Sequence, residues 1–280
     1  IAGRGHLAPG MPPHSAQLAL AIVASLAAPA SAQALGDAPV LVTGATGRTG
    51  LLVYAALRDA GVPVRALVRD RAKARRLLNC TACDEAEGVF LGDVTKPEDL
   101  SAPCAGTSAV AVAAASSPVR LANGSWVFPP GGSPGEVDWL GLEHQVAAAR
   151  RGGAKHVVLV SSAGTTVPDS PLDLLGGAHV LFYKSQAELS LFSANGIAGT
   201  VVKPTGLTDG PGGRKQLVVG RNDGFPHGTP MTVDRADVAA VVAAAVRRPA
   251  LSAGLRFDLT SRAGSPSDLG DLLEAARRLW

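Results

Sequence analysis

Gly44, Gly47 and Gly50 stand three residues apart at the end of the apolar run 40–43, and a helical pattern follows them. A strand, a tight turn and a helix N-terminus built this way can hold a pyrophosphate. Gly44 permits the turn, Gly47 lets the backbone approach the phosphates, and Gly50 lets the helix pack close to the strand. The free N–H groups of the first helical turn then face the anion. The cradle would be Gly44, Ala45, Thr46, Gly47, Arg48, Thr49 and Gly50. A glycine-rich loop joining two elements is the plainer alternative, so the surroundings must decide. A second strand pattern, 62–68, ends at Arg69. An acidic residue there would accept from the 2′-hydroxyl of NAD, whereas a basic one would pair with the 2′-phosphate of NADP. Arg69, with Arg48 inside the glycine loop, favours NADP(H) as the cofactor. Asp93 directly follows the third strand pattern. It can accept from the adenine amino group, or it can cap the next helix with Thr95 and Pro97.

These residues need a parallel sheet behind them, and the chain supplies the pattern. Strand-like runs at 39–43, 62–68, 88–91, 108–115, 156–160, 199–203 and 255–259 alternate with helical runs at 48–59, 73–78, 137–151, 178–194 and 234–247. A final helix follows the cap 265–268. The run 108–115 is apolar throughout, as expected of a strand covered on both faces. One α/β domain with a doubly wound, mostly parallel Rossmann-type sheet follows for 37–280. Loops at 117–135, 165–177 and 207–230 would lie over the carboxyl ends of the strands and face a small-molecule substrate.

Composition agrees. The 280 residues are 46% hydrophobic and 18% charged, the balance of an ordinary globular domain. Only 4% are aromatic, so the core must be Ala, Val and Leu. A formal charge of +3 and the lack of a basic run with interleaved aromatics argue against a nucleic-acid partner. Residues 17–34 are apolar and carry Ala30-Ser31-Ala32, an A-x-A cleavage pattern. Residues 1–36 therefore read as a targeting leader. Ser25 and Pro29 interrupt the run, which is short for a membrane span, so no stable span is expected in the mature domain. Cys80 and Cys83 form a C-x-x-C without a second ligand pair, so no metal is expected. They read as two ordinary loop thiols.

Several stretches carry a family likeness: 43–50, 67–70, 92–95, 137–153 (VDWLGLEHQVAAARRGG), 156–164 (HVVLVSSAG), 182–189 (FYKSQAEL), 203–207 and 235–239 (RADVA). In these the chain resembles atypical short-chain dehydrogenase/reductases of the NmrA-like kind, and within them a plant and algal branch of reductases and plastid proteins. The resemblance covers nearly all of 39–280. It implies that Arg69 and Arg48 meet the 2′-phosphate, and that Asp93 and Val94 meet the adenine. Lys184 would reach the nicotinamide ribose, and Pro204, Thr205 and Gly206 would border the nicotinamide. It also favours a plastid location, with an exported or cytoplasmic one as the alternative.

The standard family donates a proton from a Tyr four residues before the Lys. Here that residue is Val180, and Tyr183 is the immediate neighbour of Lys184. Adjacent helical residues do not share a face, so Tyr183 is no simple replacement. Lys184 and Ser162 (or Ser161) remain as catalytic candidates. Two readings follow. One is an NADP(H)-dependent reductase of a quinone-, carbonyl- or iminium-like substrate. The other is a non-catalytic NADP(H)-binding sensor or scaffold that acts on a protein partner.

Overall fold

The computed structural model describes residues 37–167, 169–225 and 228–280. The leader expected at 1–36 lies outside the described residues.

An eight-stranded sheet forms the centre. Strands β1 (Val40–Thr43), β2 (Val64–Val68), β3 (Val89–Leu91), β4 (Ala109–Val112), β5 (His156–Val160), β6 (Ala198–Pro204), β7 (Gln216–Gly220) and β8 (Arg256–Arg262) stand in the order β7-β8-β6-β5-β4-β1-β2-β3. All pairs are parallel except β7 with β8. Val40 pairs with Val64 on one side and Ala109 on the other, which sets β1, β2 and β4 in one register. The order reverses at β1, with β2 on one side and β4 on the other. In an open parallel sheet, ligands bind in the crevice that such a reversal opens.

Strand side chains alternate between the two faces. Val40 and Val42 face α1 (Arg48–Asp59), and Leu41 faces the opposite layer. The first face is completed by α5 (Arg235–Arg247) and α6 (Leu269–Arg277), through Val238, Val241, Val242, Leu272 and Leu273. The second is covered by α3 (Gly141–Gly152) and α4 (Val180–Ser193), through Leu142, Val146, Ala149 and Leu191. The Ala- and Val-rich core expected from composition is thus a consequence of close helix-on-sheet packing. A short helix, α2 (Arg71–Leu77), links β2 to β3, with Asp70 capping it by accepting the Lys73 N–H at 3.0 Å.

Four local expectations are corrected. The loop 117–135 contains a small antiparallel ladder, Val119–Arg120 with Trp126–Val127. The excursion 207–230 contributes β7 to the sheet edge and pairs Gly206–Thr208 with Thr232–Asp234. Glycines and prolines in these segments hid a local two-residue ladder in the first and, in the second, short strands whose partners lie about 25–45 residues away. The single helix expected from 137 begins instead as a π-helical turn, Gly135–Leu140. Finally, Cys80 and Cys83 are disulfide-bonded rather than free. The two Cα atoms lie 5.1 Å apart across the turn 80–83, within the span a disulfide bridges. Among the described residues, no helix is long and apolar enough to cross a membrane.

Candidate functional site

The glycine turn closes through the Gly47 N–H, which donates to the Gly44 carbonyl at 2.8 Å. Gly44 has φ of +67°, and a Cβ there would stand 2.6 Å from the Ala114 nitrogen. A Cβ at Gly50 would stand 2.1 Å from the Gly44 oxygen. Both positions therefore exclude any side chain. Helix α1 then starts with no side-chain cap and no acidic residue in its first turn. Its first N–H groups lack helical partners, and the helix dipole favours an anion in front of them.

A cleft of about 530 Å³ opens there. Gly44, Thr46, Gly47, Arg48 and Thr49 form one wall, with Arg69, Lys73, Asp93 and Val94 at one end and Leu207 and Arg235 at the other. Segment 113–117, leaving β4, forms the floor. Ala45 is fully buried and does not line the cleft. Four cationic side chains and one carboxylate line it, the charge pattern that a polyanion requires.

At the β2 end, Arg69 is well exposed, and its Nη1 is 3.9 Å from Asp93 Oδ2. Asp93 Oδ1 accepts from the Thr95 N–H at 3.0 Å and from its hydroxyl at 2.9 Å. Asp93 thus closes a local turn with Thr95 and does not cap the following 3₁₀ turn Pro97–Leu100, whose N-cap Lys96 has no side-chain cap bond, while its second oxygen faces Arg69. Arg48 and Arg69 do not share a partner. Arg48 turns away to Asp209, which also accepts from Arg235.

Next to the cleft floor, Lys184 Nζ lies 2.6 Å from Asp138 Oδ1, with both side chains largely buried. Asp138 Oδ2 accepts from the Ser116 N–H at 3.1 Å, which joins this pair to the cleft floor. A cavity of about 10 Å³, the size of one water, is lined by Asp138, Gln145, Ser161 and Lys184. The Ser161 hydroxyl donates to Glu188, which in turn takes Arg256 Nε at 2.7 Å. The Ser162 hydroxyl donates to the Ala163 carbonyl at 2.8 Å and is not among the residues around Lys184. Tyr183 stacks on Trp139 with ring centroids 6.0 Å apart, away from Lys184 and Asp138. Pro204 and Thr205 are buried at the end of β6, where the Thr205 hydroxyl donates to Thr260 at 3.0 Å. Gly206 sits in the small ladder, its N–H bonded to Met231. None of Pro204, Thr205 and Gly206 lines the cleft; Leu207 does.

Beside α4 lies a second cavity of about 500 Å³, lined by Thr166, Val167, Asp173, His179, Phe182 and Tyr183 among others. Asp173 accepts from the Leu181 and Phe182 N–H groups at 2.8 and 2.9 Å and caps α4. Burial pushes its carboxyl upward, but those N–H groups and His179 hold it below the usual carboxylate range. The loop forming this wall is braced from beneath. Fully buried Lys203 pairs with Asp258 at 2.9 Å and Asp223 at 3.3 Å, and Asp223 accepts from the Gly164 and Thr166 N–H groups at 2.6 and 2.9 Å. Despite its burial, the Thr166 hydroxyl, those N–H groups and Lys203 hold Asp223 down at about 2.

Sequence reasoning missed Asp138, Glu188, Asp209 and Arg235. One signal was available: Lys184 and Glu188 lie four apart on α4 and must share a face. Asp138 carried none, because its position depends on the π-helical turn.

A family model described as NAD(P)H-binding matches residues 44–249. An uncharacterized chloroplastic protein of Arabidopsis thaliana is 33% identical over 218 residues, which is 74% of this chain and 65% of that protein. Sanguinarine reductase of Eschscholzia californica is 27% identical over 268 residues, 86% of this chain and 94% of that protein. Among solved structures, a Bacillus halodurans protein provisionally described as an NAD-dependent epimerase/dehydratase superposes with a TM-score of 0.68 at 24% identity, covering 85% of this chain and 99% of that one. At that identity the likeness establishes the Rossmann-type fold.

Proposed function

The chain belongs to the NAD(P)H-binding family, and on that premise we propose that it is an NADP(H)-dependent reductase of a small organic acceptor. The observation that carries the proposal is the cleft itself. Glycine positions that exclude side chains and an uncapped helix N-terminus face four cationic groups across about 530 Å³. The residues present fit a dinucleotide. Gly44, Thr46, Gly47 and Thr49 would hold the diphosphate, Arg69 would read the 2′-phosphate, and Asp93 and Val94 would meet the adenine. Lys184 would orient the nicotinamide ribose. A bound nicotinamide supplies hydride.

The chain's own groups constrain the acceptor. The Lys184 ammonium is held by Asp138, the Ser161 hydroxyl by Glu188 and the Ser162 hydroxyl by Ala163. Val180 cannot donate a proton. The site therefore suits an acceptor that needs no strong acid, such as an iminium or a quinone, with any proton delivered by water at the small polar cavity. The cavity beside α4, with Phe182, Tyr183 and Val167 as apolar walls and Asp173 among its acids, has the size for a flat organic molecule. Relatives described as a reductase and as chloroplastic support a reductase in a plastid setting. Residues 1–36 would serve as the removable leader.

The test is titration of the domain 37–280 with NADPH and NADH, followed by NADPH absorbance with a panel of quinones and iminium compounds. Tight NADPH binding with oxidation is expected. Tight binding without turnover by any acceptor would replace this reading with the sensor or scaffold reading. Binding of neither cofactor would overturn both.

A further inference from the structure

Arg235, the first residue of the motif 235–239, lines the dinucleotide cleft. Arg235 opens α5 as Arg48 opens α1, and the two helices pack side by side. Their guanidinium groups converge on one carboxylate. Arg235 Nη1 lies 2.7 Å from Asp209 Oδ1, and Arg48 pairs with Asp209 Oδ2. Arg235 is held further by the Leu207 carbonyl at 3.4 Å and is largely buried, while Arg48 and Asp209 are exposed. Both arginines line the cleft at the glycine turn, on the side away from Arg69.

Two guanidinium groups presented to the two oxygens of one carboxylate form an anion site of fork geometry, which suits phosphate oxygens equally well. We propose that Arg235 and Arg48 are a clamp for the cofactor diphosphate, and that Asp209 is an internal counter-ion that occupies the clamp and must yield to it. This rests on the dinucleotide reading. It assigns to Arg235 a role the glycine turn alone does not provide, and it moves Arg48 from the 2′-phosphate to the diphosphate. Asp209 competes with the ligand, so the cleft keeps its arginines oriented and neutralised when empty, at the cost of affinity.

The proposal predicts effects of opposite sign. Asp209→Asn removes the competitor and should tighten NADPH and NADH alike, by about three- to tenfold. Arg235→Met should weaken both by tenfold or more, with Arg235→Lys in between, and should leave the NADPH/NADH preference unchanged. Binding is read by nucleotide fluorescence at two salt concentrations, and melting of each variant without nucleotide checks its fold. Asp209 is exposed, so its variant keeps the test decisive if Arg235→Met does not fold. Unchanged or weaker binding in Asp209→Asn would overturn the clamp. So would a change in preference in Arg235→Met, which would place the 2′-phosphate on Arg235. If the wild type binds neither nucleotide, it is the dinucleotide reading that fails, an outcome separate from wild-type binding with an inert Asp209→Asn.

Discussion

Lys184 and Asp138 form an ion pair at 2.6 Å that joins the middle of α4 to the π-helical turn before α3. Only 3% of the Asp138 side chain and 15% of the Lys184 side chain reach solvent. The pair borders a cavity the size of one water and is tied to the cleft floor through the Ser116 N–H, which donates to Asp138.

Breaking that pair should cost both stability and turnover. Asp138→Ala leaves a buried ammonium without a partner, so a loss of about 3 kcal/mol in urea unfolding is expected. Lys184→Ala should cost at least as much, since it leaves the more deeply buried Asp138 carboxylate with only the Ser116 N–H. The double variant should recover about 1–2 kcal/mol of the summed loss, because the two side chains act as one unit. With an acceptor in hand, Lys184→Ala should lower kcat by more than it raises KM. Equal loss in NADPH affinity and in kcat/KM would confine Lys184 to binding.

Cofactor choice should turn on Arg69. Its guanidinium is exposed at the end of β2, and its ion partner among the described residues is Asp93, at 3.9 Å. Arg69→Glu should weaken NADPH binding at least tenfold more than NADH binding, since it replaces a cation facing the 2′-phosphate with an anion. An unchanged ratio would remove the 2′-phosphate assignment.

Acid should destabilise the domain through His156. Burial lowers its pKa from 6.5 to about 4, and its Nε2 lies 2.8 Å from the Thr200 hydroxyl. The unfolded chain then binds a proton that the folded chain refuses. The stability this neutral ring contributes is complete above pH 6.5 and is lost as pH falls toward 4. The depression corresponds to about 3 kcal/mol over that window. Urea midpoints at pH 7 and pH 4.5 should show the loss in the wild type and a smaller one in His156→Gln. Parallel slopes would show that other groups carry it.

Thiol chemistry should distinguish the cysteines. Cys80 and Cys83 are joined, and Cys104 is buried with its thiol pushed up to about 11 by desolvation. The oxidised domain should offer no fast-reacting thiol when folded, one when unfolded, and three when unfolded and reduced. The Cys80→Ser, Cys83→Ser double variant should lose about 1–2 kcal/mol, the chain-entropy value for so short a loop. A fast thiol in the untreated, folded protein, at half-buried Cys80, would show that the bond is not formed.

What short-range stereochemistry governs could be read directly along the chain. Helix α1 could be read to the residue, because its periodicity and the glycines before it act within a few positions along the chain. The order of strands and helices, the Rossmann-type sheet and the Ala- and Val-rich core followed from alternation and composition in the same way. What depends on distant partners could be seen only once the chain was folded. Asp138 reaches Lys184 across 46 positions, and Arg48 reaches Asp209 across 161. An ion pair's two halves leave no local mark when the fold alone brings them together. The same reason hid β7, an edge strand inside a glycine-rich segment, whose pairing partner β8 lies some 40 residues on. It also separated Arg48 from Arg69: both follow strand ends of one crevice, yet the packing of α5 against α1 drew Arg48 to Asp209 and Arg235. Backbone chemistry placed the cleft, and the packing of helices chose which charges meet in it.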